Sequence, residues 1–159
     1  MDATFRMENT IFNYRVAAVM IEDNHVLLHK QVHDKHWALP GGRVKVLEDS
    51  KTTVVREVKE ELDLDVKVAH LLWMTENFFT YNAKDFHELG LYYRVFPETG
   101  DFVLRKEPFY GEEGEHLIYQ WIPIEKLEEI VLQPEFLKTS LKEIPTSPEH
   151  LIVGKYDMD

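Results

Sequence analysis

Leu39–Leu64 reads LPGGRVKVLEDSKTTVVREVKEELDL, and the fold turns on how this stretch is read. A Gly41-Gly42 turn leads into a segment whose apolar residues Val54, Val55, Val58 and Leu62 recur at helical spacing. At roughly 100° per residue, Glu57, Glu60 and Glu61 fall within about a quarter to a third of the helix circumference, apart from that apolar stripe. Asp49 or Ser50 can cap the helix, which the pattern carries to about Leu62. Three carboxylates on one face repel one another, and like charges at i,i+4 spacing weaken a helix. A solvated acidic face is the bland reading. The alternative is relief by Arg56 and by hard divalent cations, which prefer oxygen ligands.

Working outward, Phe12–Ile21 is β-rich and turns apolar in its second half, as a buried strand does. The polar turn 22–25 and the run Val26–His29 then predict a hairpin. Trp37–Leu39 is a short apolar piece that Pro40 stops. Beyond the helix, Val66–Tyr81 and Phe86–Phe96 read as two long strands joined by the turn 82–85. Residues 97–101 make another turn, 105–116 a charged loop, and Leu117–Ile122 a strand. A short helix is expected over Ile124–Ile130, and a final helix from Pro134 to about Ile144. Residues 1–10 read as a polar lead-in, and Pro145–Asp159 carries no clear pattern. Strands around one central helix suit an α/β protein with a mixed central sheet. No repeat or linker divides residues 1–159, so one domain is expected.

Composition narrows the function classes. With 18 Lys and Arg against 29 Asp and Glu, the formal charge is −11, which disfavours an extended nucleic-acid surface. The same charge would repel a polyphosphate unless metal ions mediate its binding. Cysteine is absent, which removes disulfides and a thiol nucleophile. No segment approaches the length of an apolar membrane span, and the N-terminal MDATFRMENT lacks a basic region followed by an apolar run. A cytoplasmic location is the default expectation, with no membrane partner.

Gly42 is followed by five residues and Glu48, then by seven residues and Arg56-Glu57-Val58-Lys59-Glu60-Glu61-Leu62-Asp63-Leu64. This resembles the Nudix box of the Nudix hydrolase family: Gly, five residues, Glu, seven residues, then Arg-Glu-aliphatic-any-Glu-Glu-any-Gly-aliphatic. Asp63 stands where the family has its last glycine, and Lys45 where many members carry an acid. Asp tolerates the left-handed conformation that ends such a helix, so this departure is expected to cost stability rather than the site. The resemblance implies a Nudix-type α/β/α sandwich that hydrolyses a nucleoside diphosphate linked to another moiety.

The resemblance also assigns residues. Glu60 and Glu61 would be metal ligands, Glu57 a ligand or a water-activating base, and the Gly41 carbonyl a further ligand. Glu57, Arg56 and Glu60 form the expected catalytic group, with Arg56 orienting Glu57 and Glu48 ordering the loop. An all-oxygen set of this kind suits Mg²⁺, with Mn²⁺ as a substitute, and suits zinc poorly. The family often adds one acid from a later loop; Glu112, Glu113 and Glu115 are available, and Glu115, nearest the strand, is the expected metal ligand. Arg15, Phe79 and Tyr81 are weaker candidates for substrate contacts, Arg15 for phosphate and the aromatics for stacking on a base. His33, His36, His87 and His116 lack metal-ligand spacing.

The expected partner is a small-molecule nucleotide, with a homodimer left open. Isopentenyl-diphosphate isomerase chemistry would need a cysteine, and RNA decapping a basic surface. The proline typical of ADP-ribose hydrolases is not evident, since Phe79 and Thr80 occupy that region. The extended motif of NADH-type members is also missing. Nucleoside triphosphates, nucleotide sugars and dinucleoside polyphosphates stay open. So does a non-catalytic nucleotide sensor on the same fold, although sensors usually lose box acids that are all present here.

Overall fold

The structure is a computed structural model that describes residues 1–154, so the last five residues of the expected single domain lie outside the described residues. In chain order the strands are β1 (Phe5–Met7), β2 (Thr10–Val19), β3 (Ile21–Glu22), β4 (His25–Gln31), β5 (His36–Trp37) and β6 (Gly41–Arg43). Helix α1 (Ser50–Leu62) follows, then β7 (Val66–Tyr81), β8 (Lys84–Pro97), β9 (Phe109–Gly111) and β10 (Gly114–Pro123). A 3-10 helix (Ile124–Glu129), β11 (Val131–Leu132), α2 (Leu137–Ser140) and β12 (Glu149–Val153) complete the described residues.

The main sheet is mixed, in the order β1-β2-β8-β7-β12, with β6 also pairing β2. The β2–β8 and β7–β12 pairs are parallel, whereas β7–β8, β1–β2 and β2–β6 are antiparallel. A second, antiparallel sheet runs β3-β4-β10-β9. Successive side chains of a strand point to opposite faces, which separates two cores. Val16, Ala18 and Met20 join the core beneath α1, with Val54 and Val58 of the helix. Val19 belongs to the other core, covered by Leu127 of the 3-10 helix and by Leu137 and Leu141. The α/β/α order is therefore present, with one outer layer reduced to single turns.

Helix α1 begins and ends as its local chemistry dictates. The Asp49 carboxylate accepts from the Thr52 N–H at 2.9 Å and so caps the first turn. At the other end Asp63 adopts φ 53° and ψ 37°, and its N–H donates to the Lys59 carbonyl. Hairpin turns sit where polar pairs were read: Asp23-Asn24 and Asn82-Ala83 all have positive φ.

Three expectations are corrected, and the tail left without a pattern gains a strand. The lead-in over residues 1–10 contains β1, paired with β2 in the register Phe5↔Phe12. The charged loop 105–116 contains β9 and the start of β10, pinned because the Glu112 N–H donates to the Glu61 carbonyl at 2.8 Å. The helix expected over 134–144 shrinks to Leu137–Ser140, where Leu137 and Leu141 anchor a single turn while Thr139 and Ser140 add little helix propensity. The tail supplies β12, which extends the main sheet in parallel beside β7.

Replacing Asp63 by glycine removes the steric cost of a side chain in the left-handed region and loses only the exposed Lys59–Asp63 pair. Asp63→Gly should raise unfolding stability by about 0.5–1 kcal/mol in urea titration; a loss of stability would show that Asp63 caps better than glycine.

Candidate functional site

Arg56 is the hub of the helix face. Its Nε and Nη2 donate to the two carboxylate oxygens of Glu48 at 2.8 and 2.9 Å, a side-on bidentate pair. Nη1 donates to Glu57 at 2.9 Å and to Glu60 at 3.2 Å, and Nη2 also reaches the Arg43 carbonyl at 3.2 Å. Thr53, fully buried, donates its hydroxyl to Glu48 at 2.7 Å. The Arg56 hydrogen bond, aided by Thr53, pulls the Glu48 carboxyl down to about 2. Glu48 is thus a fixed anion that braces the 43–48 loop against α1.

Glu57 lies against the Gly41-Gly42 strand. A Cβ at Gly42 would fall within contact distance of the Glu57 carboxyl group, so glycine is required for that approach. Burial raises the Glu57 pKa, Glu60 and Glu113 add to the rise, and Arg56 opposes it. Glu61 is only 4 % exposed, and its carboxyl accepts a hydrogen bond from the Tyr119 hydroxyl at 3.3 Å. Burial first, then the charges of Glu57 and Glu113, push its carboxyl up to about 8. The acid that acts on both Glu57 and Glu61 from the later loop is Glu113. Pinning of that loop to the end of α1 is the cause: the Glu112 N–H bonds the Glu61 carbonyl, and Gly111 leaves no room for a Cβ between that carbonyl and Tyr119. Glu113, and not the expected Glu115, is thus the loop acid whose charge acts on both carboxyls.

A cleft of about 1120 Å³ adjoins this face, with Arg15, Arg43, Phe79, Tyr81, Phe86 and Glu88 in its lining. Glu57, Glu60 and Glu61 are not in the lining; Arg15 and Arg43, opposite one another on β2 and β6, connect the two. The charge of Arg15 acts on Glu61, on Glu88 and on His29, whose pKa burial and Arg15 together lower to about 4. Arg15, Phe79 and Tyr81 are thus brought to one cleft, while Arg105 stacks over Phe109 at 4.3 Å instead.

A family model for the NUDIX domain matches residues 12–144. The chain belongs to the Nudix family. Among curated proteins it is 29% identical over 82 residues to YjhB of Bacillus subtilis (strain 168), provisionally named an ADP-ribose pyrophosphatase. That match covers 51% of this chain but only 38% of YjhB. The MutT protein of Methanosarcina mazei Go1 shares the fold at a TM-score of 0.61 and 22% identity, over 86% of this chain and 94% of its own. A MutT NUDIX hydrolase of Burkholderia pseudomallei gives 0.58 and 23%, over 84% and 98%. An ADP-ribose pyrophosphatase of Streptococcus suis gives 0.54 and 18%, over 88% and 98%.

The donors of the Nudix helix fit a hard divalent cation in kind: carboxylate and carbonyl oxygens, with Glu61 buried beside two other acids and no cation bonded to it. They are not yet gathered around one point. Among the described residues no three His, Cys, Asp or Glu groups converge on a metal position, because Arg56 holds both Glu57 and Glu60. Residues that sequence reading missed are Asn13, His29, Glu88 and Tyr119. Glu88 carried a signal, a lone charge inside the strand pattern Phe86-His87-Glu88-Leu89-Gly90, but the partners that explain it lie on other strands.

The shifted groups fix how stability responds to pH without divalent metal. Glu61 binds its proton more tightly folded, at about 8, than at its ordinary 4.5, so its contribution is complete below 4.5 and is lost as pH rises through 8. His29, at about 4 instead of 6.5, works the other way between those values and offsets Glu61 there. In EDTA, stability should therefore fall mainly between pH 6.5 and 8, by up to about 1.4 kcal/mol per pH unit. Glu61→Gln should flatten that fall in thermal melts; an equally steep fall in the variant would remove Glu61 as its source.

Proposed function

We propose that this Nudix chain is a divalent-metal-dependent hydrolase that cleaves a phosphoanhydride bond in a nucleoside diphosphate linked to another moiety. The observation that carries the reading is Glu61, an almost fully buried carboxyl beside Glu57 and Glu113, on which the charge of the cleft residue Arg15 also acts. Buried negative charge without a bonded cation is costly, and a bound metal ion is the group that relieves it. Glu57, Glu60, Glu61, Glu113 and the Gly41 carbonyl would hold Mg²⁺, or Mn²⁺ in its place. When bound, the ion supplies charge neutralisation of the diphosphate and a lowered pKa for attacking water.

The chain's own residues do the rest. Arg56 orients Glu57 by the 2.9 Å hydrogen bond, which holds one carboxylate oxygen and leaves the other to accept a proton from water. The raised pKa of Glu57 brings it closer to the range of a working base. Arg15 meets the phosphates, and Phe79 and Tyr81 face the cleft where a base can stack. The name of YjhB adds ADP-ribose to the nucleoside triphosphates, nucleotide sugars and dinucleoside polyphosphates left open by the sequence. A cytoplasmic location is part of the same reading.

A second reading, a nucleotide sensor, draws on the unconverged carboxylates held by Arg56. Assay of this substrate panel with Mg²⁺ separates the two. Wild type should turn over at least one compound, and Glu61→Gln should lower kcat by at least about a hundredfold, as loss of several kcal/mol of metal-centred stabilisation implies. Unimpaired hydrolysis by the variant would sink the metal site. Tight binding of one nucleotide with no turnover would make the chain a sensor.

A further inference from the structure

The floor of the cleft is one face of the main sheet, and strand register arranges it in rows. Asn13 on β2, Glu88 on β8 and Asn77 on β7 are direct neighbours. Two residues along, the row is Arg15, Gly90 and Thr75; two residues the other way it includes Phe86 and Phe79. Alternate residues share a face, and two residues of strand advance about 7 Å. The floor thus steps, at about 7 Å intervals, from a cation to a carboxylate between two amides to an aromatic pair. Phe79 and Phe86 are stacked with ring centroids 4.9 Å apart and planes at 2°. The Arg15 end is the one whose charge reaches Glu61.

Glu88 offers a carboxylate to the cleft. It is half-buried, lines the cleft, accepts from the Asn13 amide and feels Arg15 and Arg43. Asn13 itself is 2 % exposed, so the amide that orients the carboxylate is fixed. An ionised carboxylate accepts several hydrogen bonds on its two oxygens, and Asn13 supplies one donor. The charges of Arg15 and Arg43, both felt at Glu88, make the position poor for a metal ion. A ligand group at Glu88 must therefore offer hydrogen-bond donors without needing a charge, and must lie between an anionic and a flat apolar part of the same molecule.

We propose that Glu88 binds the 2′,3′-diol of a ribonucleotide, with phosphates toward Arg15 and the base toward Phe79 and Phe86, which makes it the residue that selects ribose over deoxyribose. A base stacked on Phe79 and Phe86 with its edge turned to Glu88 would instead point its glycosidic bond, and so the phosphates, away from Arg15. This rests on the reading that the cleft holds a nucleotide, but not on hydrolysis.

The test is calorimetric binding, with Mg²⁺, of the four common ribonucleoside diphosphates and their 2′-deoxy and 3′-deoxy counterparts, alongside the hydrolysis panel. Wild type should bind at least one ribonucleotide about tenfold or more tightly than either deoxy form, the factor carried by a hydrogen bond to a charged group. In Glu88→Gln that ratio should collapse to within about twofold. Glu88→Asp, which keeps the charge between Arg15 and Arg43 but withdraws it by one methylene, should show the same collapse and serves if the Gln variant does not fold. Equal ribo and deoxy affinities in wild type, a ratio kept by the variants, or an equal loss for both sugar types would each overturn the proposal. A ribose preference without hydrolysis would sink the hydrolase reading and leave the ribose site standing; hydrolysis without that preference would do the reverse. Binding of no nucleotide would overturn both.

Discussion

One guanidinium ties the loop, the helix and the glycine turn together. Arg56 hydrogen-bonds Glu48, Glu57, Glu60 and the Arg43 carbonyl at once. The planar fork of donors makes this feasible, because one edge can take Glu48 side-on while the remaining N–H groups point elsewhere. A lysine, as a compact point charge, could not fix the same directions. The consequence reaches backward along the chain. With the Arg43 carbonyl held by the helix and residues 41–43 paired to β2, the Gly41-Gly42 backbone is clamped from both sides. A loop that would otherwise be mobile becomes a rigid surface for a ligand.

The same hub divides the acids by role. Glu48 receives two of the Arg56 bonds and the Thr53 hydroxyl, and stays ionised down to about 2. Glu61, on the same helix as Arg56, receives only a phenol and sits beside two further acids, and its pKa is carried up to about 8. Identical side chains thus differ by burial and by their partners. One is structural and already neutralised. The other is a buried carboxyl among acids, and on the proposed reading that unmet demand for positive charge is what a metal ion, and through it a phosphate, would answer in a chain of charge −11.

How much of this was legible follows from where each cause lies along the chain. The span of α1 was readable because its signals are local: a capping acid at Asp49, an apolar stripe at helical period, and an acid able to take the left-handed turn at Asp63. The β7–β8 hairpin was readable for the same reason, since Asn82-Ala83 separates two long β-rich runs. What failed depends on partners distant in sequence. β1 and β12 are strands only because β2 and β7 offer edges to pair with, and Phe5–Met7 is exposed throughout. The choice among Glu112, Glu113 and Glu115 depends on a backbone bond from the loop to Glu61, some fifty residues away. No periodicity encodes that bond.

This division also explains why the sequence motif speaks to the reaction more than to the substrate. The box places its acids on one helix and one loop, so their relative positions are fixed by local geometry. The cleft is floored instead by β2, β7 and β8, strands whose order in space is not their order in the chain. Asn13 and Glu88 meet across a parallel pairing of residues 75 positions apart in number, and Phe79 meets Phe86 across a hairpin. A substitution at any of these positions leaves the box untouched while changing what the floor can recognise. On the proposed reading, the phosphate end would be common to any chain with this helix, whereas the sugar and base ends would belong to the particular residues that the sheet brings together.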